Sequence, residues 1–113
     1  MRLNEIIGKL DLKVVCGTEN IDREITGGYA SDLMSDAIAH ANAGELWITL
    51  QVHENVIAIA SMKEIGAVVL TQDRVPLPET VTKADAEKIP VLSSSLSAFE
   101  LIGQLYELGI RGS

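Results

Sequence analysis

Asp32, Asp36 and His40 fall at i, i+4 and i+8 in the second quarter of the chain. On a helix that spacing turns all three to the same side. Two carboxylates and an imidazole so arranged can hold a divalent metal or serve as acid and base. The plainer reading is a solvated helix face whose acids sit near the N-terminus, where the helix dipole favours them. No second ligand cluster joins them, so the sequence assigns no metal ligands and no catalytic residues.

A glycine pair, Gly27-Gly28, lies just upstream and leads to a helix start at Ser31 or Asp32. Backbone amides there can be offered to a phosphate or carboxylate, helped by the helix dipole. The same pair can instead form a tight bend or bulge that lets a neighbouring element or a second subunit come close. Gln51 and His53 follow the most hydrophobic strand candidate. They therefore stand near its carboxyl end, where ligand sites gather in open α/β sheets. They would contact a ligand there, or cap the next helix and bond within the loop. The candidate ligand-binding residues are Thr26, Gly27, Gly28, Tyr29, Ser31, Asp32, Gln51 and His53.

Other reactive groups lack a setting. Cys16 ends an apolar strand candidate, which suits a buried, inert thiol better than a nucleophile. Ser93, Ser94 and Ser95 have no G-x-S-x-G frame. The chain contains neither a G-x-x-x-x-G-K-[ST] phosphate loop nor a G-x-G-x-x-G dinucleotide fingerprint. Nothing assembles into a catalytic site.

The elements that would position these residues read as follows. Residues 2–10 form an amphipathic helix with Leu3, Ile6, Ile7 and Leu10 on one face. Leu12 to Cys16 and Ile25 to Tyr29 are short strand candidates. Ser31 or Asp32 caps a helix whose inner face is Leu33, Met34, Ala37, Ile38 and Ala41, with Gly44 suited to a left-handed turn after it. Leu46 to Leu50 and Ala67 to Thr71 are apolar, β-branched runs, as expected of strands buried on both faces. A helix from Asn55 to Glu64 lies between them. Pro78 opens a helix from Glu79 to Lys88, and Pro90 closes it. Val91 to Ser93 is a last strand. Ser97 with Glu100 makes a capping box for the final helix, whose buried stripe is expected to be Leu96, Phe99, Ile102, Leu105 and Tyr106. Gly109 stops it, and Arg111 to Ser113 are expected to fray. Strand-then-helix units starting near 45, 67 and 91 imply a three-layer α/β fold with a mostly parallel sheet.

Bulk properties narrow the function classes. The chain has 113 residues, a single domain spanning 1–113. It is 47% hydrophobic but only 4% aromatic, so its core must be aliphatic. A net charge of −7 argues against nucleic acid and against anionic membrane surfaces. No apolar run approaches the roughly 20 residues of a membrane span. One cysteine excludes an internal disulfide framework and fits a reducing, cytoplasmic setting. A small domain rich in apolar residues also exposes area that a partner can cover, with Tyr29 and Trp47 as candidates, Trp47 being equally suited to the core.

The run from Thr26 to Asp36, TGGYASDLMSD, resembles the DRTGG domain family, and the likeness continues through Gly44 to His53 and Leu96 to Leu101. The motif that names the family is a compact Asp-Arg-Thr-Gly-Gly. Here Glu24 and Ile25 separate Arg23 from Thr26, so Thr26, Gly27 and Gly28 carry the match. The resemblance implies an α/β module similar to the N-terminal domain of HPr kinase. Similar modules occur in phosphotransacetylases and between CBS motifs in nucleotide-regulated pyrophosphatases. It further implies a regulatory or dimerising role, with no resident cofactor and chemistry done elsewhere, since the kinase phosphate loop is absent. The function expected first is a homodimeric, non-catalytic module sensing a small anion such as an adenine nucleotide. The second is an adaptor for a larger, possibly redox, enzyme complex, because stand-alone relatives look like hydrogenase accessories. A metal-dependent enzyme using Asp32, Asp36 and His40 comes third.

Overall fold

A computed structural model describes residues 1–112; Ser113, the last residue expected to fray, lies outside them. Its five strands form one sheet in the order β1 (Lys13–Cys16), β5 (Val91–Ser93), β4 (Ala67–Leu70), β3 (Glu45–Thr49), β2 (Gly27–Ala30). The four strands β5, β4, β3 and β2 are mutually parallel, and β1 joins antiparallel at one edge with a register shift between Val14 and Cys16. The expected mostly parallel α/β architecture is therefore present.

Each central strand is apolar on both sides because both sides are covered. On one side Trp47, Val68, Leu70 and Val91 meet α2 (Met34–His40), α3 (Asn55–Met62) and α4 (Pro78–Glu87). On the other, Leu46, Ile48, Val69 and Leu92 meet α1 (Leu3–Leu10) and α5 (Ala98–Glu107). Alternation along β3 thus sends Leu46 and Ile48 to the α5 side and Trp47 to the α2 side.

Local signals explain most boundaries. Pro78 stands at the first turn of α4, where its missing N–H costs nothing. Ser97 Oγ accepts from the Glu100 amide at 3.4 Å and starts α5. Gly109 adopts φ +96° just beyond its end. Gly17 is held at φ +67°, and a Cβ there would lie 1.9 Å from the Ile89 carbonyl oxygen.

Three expectations are corrected and the open placement of Trp47 is decided. In α5 the buried face is Leu101 and Leu105, while Phe99 is 85% exposed and Ile102 and Tyr106 point outward too. In the second helix Ala37 turns inward and Leu33 and Ile38 lie in solvent. Trp47 is fully buried, so it belongs to the core and not to an association surface. Arg111 and Gly112 do not fray: the Arg111 carbonyl accepts from the Gly28 amide at 3.0 Å, and its guanidinium lies 3.6 Å over the Tyr106 ring. Among the described residues no helix is long and apolar enough to cross a membrane.

Candidate functional site

The glycine pair lies inside the edge strand β2, and its role there is close approach. In a parallel pair alternate residues face away from the partner strand. Gly28 is one of these, and its outward amide is taken by Arg111. A Cβ on Gly27 would stand 2.7 Å from the same carbonyl oxygen. Thr26 Oγ1 donates to the Ala43 carbonyl at 2.9 Å, and its side chain crowds Gly44, held at φ +80°. Arg23 donates to the carbonyls of Ile65 and Gly66, while the Asp22 carbonyl accepts from Arg2. These residues tie β2 to its surroundings; they do not present free amides to an anion.

Asp32 is not the cap of α2. The helix begins at Met34 after Leu33, and Ser31 Oγ accepts from the Leu33 amide at 3.1 Å. The Asp32 carboxylate instead reaches the end of β3. Its Oδ1 accepts from Thr49 Oγ1 at 2.8 Å and from the Leu50 amide at 2.7 Å. Gln51 Nε2 donates to the Asp32 carbonyl at 3.0 Å. Trp47 Nε1 donates to the Ser31 carbonyl at 2.9 Å. The structure therefore brings Ser31, Asp32 and Gln51 together, joined by Thr49, which sequence reasoning did not single out.

The expected acidic stripe does not assemble. Asp36 accepts from the Tyr29 hydroxyl and lies 3.8 Å from His40 Nε2, while Asp32 is committed to β3. Among the described residues no three metal-capable side chains gather. Burial first, then the hydrogen bond to Asp36, pushes the Tyr29 phenol above its ordinary range. His53 Nδ1 accepts from the amide of Asn55, the first residue of α3, at 3.1 Å, while the N-cap position itself is Glu54. Burial, reinforced by the nearby Asp85 carboxylate, raises the Cys16 thiol to about 11, as suits an inert buried residue.

A cleft of about 210 Å³ opens at the carboxyl ends of β2, β3 and β4. Ala30 and Ile48 lie on its inner wall, Ser31, Asp32, Thr49 and Leu50 belong to the strand ends, and Ala98 closes it from the first turn of α5. Thr71, directly after β4, also lines it. Thr71 is fully buried, and its Oγ1 has no hydrogen-bond partner. A buried hydroxyl left unpaired costs about 1–3 kcal/mol, a cost that no contact among the described residues relieves. The signal for Thr71 was available in the sequence: it is the one polar residue closing the apolar run AVVLT at a strand's carboxyl end.

A second cavity of similar volume runs between β2 and α5, lined by Gly28, Tyr29, Ala30, Ile102, Tyr106 and Ile110 among others. It continues into an open apolar patch of Phe99, Ile102, Gly103 and Tyr106. Arg111, at its margin, is the charged residue lining it.

No family model matches the chain, and no curated protein matches it. Among solved structures it is similar to the CBS and DRTGG domains of the regulatory region of Clostridium perfringens pyrophosphatase, complexed with the activator diadenosine tetraphosphate. The superposition has a TM-score of 0.67 at 13% sequence identity and covers 90% of this chain but 44% of that one. This chain therefore spans less than half the length of the regulatory region it matches. At that identity the likeness is one of architecture, and the architecture is DRTGG-like.

Proposed function

We propose that the chain is a non-catalytic regulatory module that pairs with a second copy of itself and responds to an adenine nucleotide. The observation that carries the pairing is the outward face of α5. Phe99, Ile102 and Tyr106 lie exposed beside an apolar groove. Two copies each carrying −7 repel one another over most of their surfaces. None of the residues lining the groove and the patch is acidic, so two copies can meet here without that penalty. The nucleotide half draws support from the structural likeness to a regulatory region bound to diadenosine tetraphosphate.

Sedimentation of the purified chain is expected to give about twice its 12.1 kDa mass. A Phe99→Ser, Tyr106→Ser double variant should sediment as a monomer while keeping its thermal midpoint within a few degrees. A wild-type chain that stays monomeric at tens of micromolar would overturn the pairing. That outcome would favour the adaptor reading, in which the same face serves a different chain. Thermal shift with AMP, ADP, ATP and diadenosine tetraphosphate tests the other half. A ligand at 100 times its Kd adds about 2.7 kcal/mol of stability.

A further inference from the structure

We propose that two copies of the chain pack their α5 helices antiparallel, with the two-fold axis between Ile102 and Gly103 and Phe99 of each copy seated in the groove of the other. The inference rests on reading the chain as one that pairs with itself through this face. It adds which residue of one copy meets which residue of the other, and it makes each groove complete only when the second copy is present. Three features support it.

The first is spacing. Phe99, Ile102, Gly103 and Tyr106 stand at i, i+3, i+4 and i+7, so they form one stripe along α5. The midpoint of that stripe falls between Ile102 and Gly103. Turning a second copy about an axis through this point brings Ile102 opposite Gly103 and Phe99 opposite Tyr106. Gly103 has nothing within 4 Å of where a Cβ would stand, so it is a notch that the Ile102 side chain can fill. A parallel pair would instead set Ile102 against Ile102 and leave the two notches facing each other unfilled.

The second is that projection and hollow lie at opposite ends of the helix. Ile102, Leu105 and Tyr106 line the groove against β2, and Phe99 does not. Phe99 is 85% exposed and belongs to the open patch at the amino-terminal end of α5. Such a surface complements a copy of itself when the two run in opposite directions, because each projection then meets a hollow.

The third is charge. Arg111 is the one charged residue lining the groove, and its guanidinium lies 3.6 Å over the Tyr106 ring. Arg111 is itself exposed, so the side of the guanidinium away from Tyr106 is open. The face of an aromatic ring attracts a cation. Phe99 of the second copy, arriving over Tyr106, places such a ring there. Repulsion is left to the rim: Glu100 and Glu107 are exposed on one flank of the stripe, and the antiparallel arrangement brings Glu100 of each copy level with Glu107 of the other.

The test is disulfide trapping in the full chain, where Cys16 is the only native cysteine and is buried. Gly103→Cys is expected to link to its own copy on mild oxidation, because residues beside the axis come within disulfide reach, and the bond traps even a weakened pair. Phe99→Cys and Tyr106→Cys should each fail to link alone, since seven residues of helix set the two copies of either position about 10 Å apart along the axis. Mixed together, those two variants should link to each other. Charge reversal gives a second reading by sedimentation at low salt. Glu100→Lys and Glu107→Lys should each tighten pairing about threefold or more. The double variant sets Lys against Lys and should pair more weakly than either single one, despite its smaller net charge.

Self-linking of Phe99→Cys, no link in Gly103→Cys, or tightest pairing in the double reversal would overturn the antiparallel arrangement. If wild type still sediments as a dimer in that case, the pairing reading stands and the copies meet in another way. A monomeric wild type takes down both.

Discussion

Single atoms at Thr71, Gly17 and Cys16 lead to distinct expectations. Replacing Thr71 by Val removes an unpaired buried hydroxyl at nearly constant volume, so the ligand-free protein should gain about 1 kcal/mol in a urea titration. Gly17→Ala should do the reverse. The new Cβ collides with the Ile89 carbonyl in a conformation that side chains resist, and the loss should exceed about 2 kcal/mol. The Cys16 thiol ionises less readily in the folded chain than in the unfolded one. Its contribution is neutral below the unfolded value of 9.0, and folding stability falls as pH rises from there through about 11. Denaturant midpoints from pH 8 to 11 check this, with Cys16→Ala flattening part of the slope. At pH 8 the native thiol should resist a thiol reagent that labels it readily in denaturant.

At the level of helices and strands, α5 shows both the reach of the sequence and its limit. Its start at Ser97 and its stop at Gly109 were legible because both are local chemistry. Its inner face was not. The helix is apolar on two sides: Leu101 and Leu105 on one, Phe99, Ile102 and Tyr106 on another. Helical spacing groups residues into faces, but it does not say which face meets the sheet. The same ambiguity turned Leu33 and Ile38 the wrong way. Asp32 was misplaced for a different reason. An Asp before a helix is a good cap, but here tertiary partners, Thr49 and the Leu50 amide, outcompete the helix for its oxygen. The inner parallel strands β3, β4 and β5 were read correctly to within a residue because burial on both sides leaves an apolar run.

Gly103 belongs to the same scale. It sits in the outward stripe of α5, with nothing within 4 Å of where a Cβ would be. Alanine is favoured over glycine in a helix interior by about 1 kcal/mol. Gly103→Ala should therefore raise the stability of the isolated fold by about that amount. If a second copy packs closely against this notch, the same substitution should weaken association. Thermal melts of the monomeric Phe99→Ser, Tyr106→Ser background, read beside sedimentation of the single variant, separate the two effects.

For the molecule as a whole, charge and topology set the behaviour. A chain of net charge −7 that pairs, as proposed, through the face of Phe99, Ile102 and Tyr106, which no acidic residue lines, carries repulsion between the remaining surfaces. Salt screens exposed charges over about 10 Å at 0.1 M. Pairing should therefore tighten as ionic strength rises from 10 to 500 mM, measured by sedimentation equilibrium; weakening over that range would point to ion pairs across the interface.

The antiparallel pairing of β1 with β5 joins the first strand to the last. Lys13–Cys16 finds no hydrogen-bonded neighbour until Val91–Ser93 arrives. Closing so long a loop is entropically costly and slow to reward. During synthesis the amino-terminal strand leaves the ribosome long before its partner exists, carrying an unpaired edge through that interval. A nascent chain arrested before Val91 should thus be protease-sensitive and prone to stick to its neighbours, and protection should appear in one step once β5 has emerged.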